Sequence, residues 1–101
     1  MESSRIKSAI DNFSDLKVLV IGDFILDAYY RGNVDRVSPE APVPILNVES
    51  KEYRLGGAAN VARNLSELGA EAILCSVLGK DDPGNLSMDL MHKRGLATDG
   101  I

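Results

Sequence analysis

The chain holds one cysteine and one histidine in 101 residues, too few for a disulfide framework or a His/Cys metal site. Cys75, inside the apolar run AILCSVLG, reads as a small buried hydrophobe, and His92, beside Lys93 near a helix end, as a surface residue. No run approaches the roughly 18 apolar residues that a membrane-crossing helix needs. The opening MESSRIKSAIDNF lacks the apolar stretch of a secretory signal, so the cytoplasm is the expected location. Positive charge is also scarce. The 11 basic residues against 15 acidic ones leave a formal charge of −4, and no basic patch compensates for it, which argues against nucleic acid as a partner. Internal repeats and low-complexity segments are absent, which excludes a solenoid or a disordered linker.

What is present alternates between strand and helix signals. Ile6, Ile10 and Phe13 recur at helical spacing, predicting a short amphipathic helix from Ser3 or Ser4 to Asn12 on the outside of a sheet. Lys17–Gly22 (KVLVIG) is a continuous apolar run, the pattern of a central parallel strand covered on both faces. Ala58–Leu68 places Ala58, Val61, Ala62, Leu65 and Leu68 on one helical stripe, with Arg63, Asn64 and Glu67 outside it. Ala72–Leu78 reads as a second buried strand, so strand, helix and strand imply a right-handed parallel crossover in an α/β fold. Asp82 and Pro83 suit an N-cap and first turn, and Lys93, Arg94 and Gly95 suit the far end of a helix over 83–94.

Two features stand apart. Residues 28–55 alternate weakly, contain three of the four prolines and offer two strands, about 29–37 and 43–53, which the prolines confine to edge positions. Immediately afterwards comes GGAANVARNLSELGAEAILCSVLG, from Gly56 to Gly79. Adjacent glycines tolerate positive φ and let a small polar ligand approach the backbone. The helix behind them presents unpaired N–H groups and the positive end of its dipole, and Asn60 adds a donor and an acceptor. These features suit a hydroxyl-rich ligand.

The spacing of Gly56, Gly57, Asn60, Gly69 and Gly79 resembles the first signature of the ribokinase-type (PfkB) carbohydrate kinases. Upstream, VLVIGDFILD and the Pro-spaced run SPEAPVP (Ser38–Pro44) resemble the heptose branch, the D-glycero-β-D-manno-heptose 7-phosphate kinases. Ala28 departs from that branch, where a basic residue tends to follow the Asp. The resemblance implies the N-terminal part of a ribokinase-like α/β/α sandwich over residues 1–101, with 29–54 as a small β-sheet lid over the sugar. It implies an ATP-dependent sugar kinase using Mg²⁺ and acting on a sugar or sugar phosphate, with ribokinase-like or fructokinase-like specificity as the alternative. Members of the family are considerably longer, and their catalytic Asp, glycine-rich anion hole and most of the ATP pocket come from a C-terminal half. The chain therefore reads as a fragment, expected to be inactive alone and to supply no catalytic residue and no metal ligand.

The family pattern maps Asp27, at its fixed spacing from Gly22, onto a carboxylate that accepts hydrogen bonds from sugar hydroxyls; Gly56, Gly57 and Asn60 complete the sugar-contact positions. Ionised carboxylates suit that role because they only accept, and do so strongly. Asp23 is a near rival, equally suited to holding the turn after the first strand. Arg31, Arg36 and Arg54, with Lys51, lie close enough to the lid to neutralise a sugar phosphate, although each also reads as a solvated surface charge. In the family the lid excludes water and sometimes pairs with another subunit's lid, implying a homodimer. Two other classes stand as alternatives. A dinucleotide-binding module would carry its glycines directly after the first strand, where this chain has GDFILD. A non-catalytic fragment that oligomerises through a β edge is compatible with so short a chain.

Overall fold

The computed structural model describes residues 2–101. In chain order it contains α1 (Ser3–Asp11), a 3-10 turn (Asn12–Asp15), β1 (Lys17–Ile21), β2 (Phe24–Val37), β3 (Pro44–Gly57), α2 (Ala58–Glu67), β4 (Glu71–Cys75) and α3 (Asp82–Lys93). Strands β1 and β4 pair in parallel from Lys17↔Glu71 to Ile21↔Cys75. Ala97 adds a parallel bridge to Ile73, starting a further position in the same sheet. The mixed α/β architecture expected from the sequence is present.

The core forms where α2 lies on this sheet. Ala59 and Ala62 are fully buried against Leu74 and Ala72, and Leu55, Met91 and Leu96 close the cluster. The stripe that meets the sheet is Ala59 and Ala62 with Ala58 and Leu65 partly buried; Val61 and Leu68, expected on it, are 48% and 56% exposed. Alanines there bring the helix axis close to the strands at little cost in side-chain entropy. Helix α2 ends with Gly69 at positive φ, where the Ala70 N–H reaches the Leu65 carbonyl (3.1 Å) and the Gly69 N–H the Ser66 carbonyl (3.0 Å). Gly95 ends α3 the same way.

Several expectations are corrected. Strand β1 is covered on one face only: Val18 and Val20 are half-buried, whereas Leu19 and Ile21 on the opposite face are 59% and 73% exposed. A strand's side chains alternate, so a single helix layer covers only every second residue. Cys75 falls on the uncovered face and is exposed rather than buried. β4 stops at Cys75 instead of continuing to Leu78, because the Ser76 N–H leaves the β1 ladder and donates to the Gly100 carbonyl (3.2 Å). Helix α1 buries none of its residues and packs on its own 3-10 turn rather than on the sheet, leaving Ile6 and Ile10 exposed. The cap of α3 is Asp81, not Asp82. Its Oδ1 accepts from the Gly84 N–H at 2.8 Å, which moves Asp82 and Pro83 into the first turn.

The expected lid strands exist but reach much further toward the core. β2 and β3 form an antiparallel ribbon from Phe24↔Gly57 to Val37↔Pro44, with irregularities at Arg31/Gly32 and at Val34/Arg36. Pro44 opens β3, where no ladder N–H is needed, and Pro39 and Pro42 sit in the connecting turn. The base of the ribbon is fixed because Phe24 and Leu55 join the core beneath α2. Its tip projects. The Cα radius of gyration is 18.9 Å, where a compact domain of this length has about 13 Å.

Candidate functional site

Everything at the site depends on how the ribbon hands over to α2. Gly57 is the last residue of β3 and the N-cap of α2, at φ 57° and ψ −134°, a region that side chains with a Cβ avoid. A Cβ there would also meet the Asp23 carbonyl and the Ile25 side chain. That carbonyl accepts the Ala58 N–H at 2.9 Å, so the two ends of the junction are tied together, and no side chain caps the helix. Asp23 thereby fills the turn-holding role through its backbone.

Gly56, one residue earlier, is buried and pairs with Ile25. A Cβ on it would collide with the carboxylate of Asp27. The bare α-carbon is what lets that carboxylate lie flat against β3 and face the start of α2. Asn60, in the first turn of α2, faces the same space. Asp27, Asn60, Arg54, Glu52, Arg63 and Arg94 share a cavity of about 320 Å³ at the foot of the ribbon. The structure thus brings Asp27 and Asn60 into one hollow, with the glycine pair forming the bend between them.

The arginines distribute unequally. Arg54 is the cross-strand partner of Asp27, yet its guanidinium turns to Glu52, donating from Nε to Oε1 (3.0 Å) and from Nη2 to Oε2 (3.2 Å). It also stacks over the Tyr29 ring at 4.5 Å. Arg31 joins the same carboxylate at 3.1 Å. The Arg54 hydrogen bonds hold Glu52 below the usual carboxylate range against an opposing desolvation effect, and the charges of Arg54 and Arg31 add to the lowering. Arg36 stands apart: it pairs with Ile45 near the tip, nine residues along β2 from Asp27, roughly 30 Å at the ordinary strand rise. It is not in the cavity. Lys51 covers the Tyr30 ring at 5.5 Å and likewise lies outside the lining.

Two cavity residues occupy positions that the sequence pattern alone turns outward. Arg63 falls on the outer side of the α2 stripe and Arg94 at the end of α3, both positions that ordinarily face water. The base of the ribbon closes over that side of α2, which turns an outer face into a wall. Helical periodicity marks the face that meets the sheet; it carries no signal for a second layer supplied by a distant ribbon.

A second hollow, about 460 Å³, opens at the C-terminal ends of β1 and β4 among Ile21, Asp23, Phe24, Cys75, Ser76 and Val77. It is the larger of the two, but apolar side chains dominate it, and the Ser76 hydroxyl already accepts the Phe24 N–H at 3.1 Å. The polar groups a hydroxyl-rich ligand needs converge in the smaller cavity. Neither hollow fits a metal ion. Among the described residues no group of three or more His, Cys, Asp or Glu side chains converges, and Glu52 in the smaller cavity is already held by two guanidiniums.

A parallel β1–β4 pair carrying α2, with an antiparallel ribbon inserted between β1 and α2, defines an α/β protein with a projecting β ribbon. The chain belongs to the pfkB family of carbohydrate kinases, whose profile matches residues 15–101. It is 48% identical over 101 residues to the bifunctional protein HldE of Pelobacter propionicus, covering 100% of this chain and 21% of the relative. It is 52% identical over 83 residues to the D-beta-D-heptose 7-phosphate kinase of Bordetella bronchiseptica, covering 82% of this chain and 26% of that protein. HldE of Helicobacter pylori is 49% identical over 85 residues, 84% of this chain and 18% of the relative. The chain therefore spans about a quarter or less of the length of these curated relatives. No helix among the described residues is long and apolar enough to cross a membrane.

Proposed function

We propose that this chain is the sugar-binding part of an ATP-dependent kinase acting on D-glycero-β-D-manno-heptose 7-phosphate. The product would be the 1,7-bisphosphate, on the route to ADP-heptose and the lipopolysaccharide core. The observation that carries this reading is the single cavity shared by Asp27 and Asn60 at the glycine bend. Asp27 accepts hydrogen bonds from sugar hydroxyls, Asn60 donates and accepts, and Gly56 and Gly57 let the sugar approach the backbone. Arg54 offers a cation at the ribbon base, with Arg31 behind it through Glu52; Arg36 is too far out to join them. A kinase of this family implies ATP and a divalent metal in general. The carboxylates here do not gather into a metal site, and the reading assigns the metal, most of the ATP contacts and the catalytic base to other segments of the longer protein. This part's contribution is to hold the acceptor hydroxyl in position, worth several kcal/mol of the barrier in well-oriented reactions.

A panel of sugars and sugar phosphates, assayed with ATP on the intact protein that carries this chain, tests the reading. Heptose 7-phosphate is expected to give the highest kcat/KM, and Asp27→Ala to lower it by about 100-fold or more, as expected for losing charge-assisted hydrogen bonds. A preference for ribose or fructose would move the protein to another branch of the family. Normal turnover by Asp27→Ala would remove the role given to that carboxylate.

The same reading includes a homodimer through the ribbon. A two-stranded ribbon is marginal by itself in water, and Val34, Val37, Val43, Leu46 and Val48 lie exposed along its outer part. Size exclusion with and without residues 29–54 distinguishes a lid-mediated dimer from a monomer.

A further inference from the structure

We propose that Arg63 and Arg94 form the cradle for the anionic group of the substrate, on the wall of the cavity opposite the ribbon. The inference rests on the kinase reading above and assigns the end of the sugar that these residues meet. Arg54 and Arg31 are already engaged by Glu52 at hydrogen-bonding distance. Arg63 and Arg94 are in a different state. Both approach one oxygen, Glu67 Oε1, and both stop at 3.7 Å, close enough to attract and too far for a hydrogen bond. Two guanidiniums thus share a single carboxylate, leaving one positive charge in excess on this wall.

The Arg63 atom that faces Glu67 is its Nε, which is buried and has no hydrogen-bond partner among the described residues. Buried donors on charged groups are costly to leave unmade, and nearly all find an acceptor. A phosphate group supplies what the wall lacks: a dianion whose several oxygens match the planar fork of arginine. Helix α2 fixes Arg63 one turn beyond Asn60, and the tight end of α3 at Gly95 fixes Arg94 across from it. Asp27 on the ribbon therefore faces the two arginines on the helix wall across one cavity, with Asn60 one turn from Arg63, an arrangement fitted to a polyol that also carries a phosphate. Glu67 holds the two arginines in position while no anion is bound.

The test uses the intact protein, with a heptose phosphate and the unphosphorylated sugar each measured as substrate or competitive inhibitor. Arg63→Met and Arg94→Gln are each expected to raise KM for the sugar phosphate about 10- to 100-fold with kcat changed less than about threefold. The affinity for the unphosphorylated sugar is expected to be unchanged. Arg63→Lys, which keeps the charge but loses the fork, should fall between, and it carries the test if the other variants melt more than about 10 °C below the parent protein. Glu67→Gln frees both guanidiniums and should tighten sugar phosphate binding about two- to threefold. A purely structural cluster would instead weaken both sugars equally in all variants. That outcome, or an unchanged KM for the phosphate form, overturns the proposal. If the parent protein phosphorylates no sugar, the kinase reading fails but this one is still decided by calorimetric titration with inorganic phosphate. A loss of affinity of about tenfold in Arg63→Met supports it, and equal affinity overturns it.

Discussion

The two ends of the ribbon share one pair of strands and one hydrogen-bond pattern, yet they are held by different physics. At the foot, Leu55 is 5% exposed in the core beneath α2, and the glycine bend ties the strand to the helix. Toward the tip, Leu46 on the same strand is 40% exposed, and the side-chain ties are between polar groups at the surface, such as Asn33 to Glu49 (2.6 Å) and Asn47 to Asp35 (2.9 Å). Cross-strand pairing alone does not order a two-stranded ribbon; burial of one end does. The cavity sits at the junction between the fixed end of the ribbon and its free one.

The sharpest way to break the contrast is one substitution made at both ends. Leu55→Ala leaves a cavity under α2 and is expected to cost about 2–5 kcal/mol in denaturant unfolding of the intact protein. Gly57→Ala comes next, at about 1–3 kcal/mol for backbone strain alone, because its Cβ has no room beside the Asp23 carbonyl. It should also lower sugar affinity, since the start of α2 and Asn60 would shift together. Leu46→Ala is expected to change monomer stability by less than about 0.5 kcal/mol. A large loss for Leu46→Ala that depends on protein concentration would sharpen the comparison differently, showing that a second ribbon covers the tip.

How much of this was legible in the sequence follows the same division. KVLVIG and the helix-ending glycines carry their geometry locally, and β1 and α2 formed within a residue of their expected bounds, while the α2 stripe was legible only in part: Ala62 and Leu65 face the core, but Val61 and Leu68 face water. The placing of Asp27, Gly56, Gly57 and Asn60 around one bend was legible too, because those residues flank a single junction. The misjudged residues depend on what lies across from them. Cys75 follows a buried pattern along its own strand, but whether its face is covered is decided by another layer. Arg63 reads as a solvent residue on the helical wheel until a ribbon more than a turn away in space folds over it. Ile6 and Ile10 form the expected stripe on α1 and find nothing in the described residues to cover it.

The smallest expected effect concerns the middle of the ribbon, where Glu52 is clamped between Arg54 and Arg31. Its folded-state pKa lies below the ordinary value of 4.5, chiefly through the hydrogen bonds from Arg54, so the clamp contributes fully above that value. The contribution is lost as pH falls through the depressed folded-state value, when the carboxylate takes up a proton and both guanidiniums lose their partner. An NMR titration of the Glu52 side chain should therefore show a midpoint below 4.5, drifting back toward it in about 1 M salt, where screening shortens the reach of exposed charges to about 3 Å. Amide protection at Tyr29 and Glu52, a cross-strand pair, should fall over the same acid range and lose that dependence in Glu52→Gln, while Gly56 at the buried foot stays protected throughout. An ordinary midpoint for Glu52 would mean that the clamp does not persist in solution, and that the middle of the ribbon belongs with the free end rather than the fixed one.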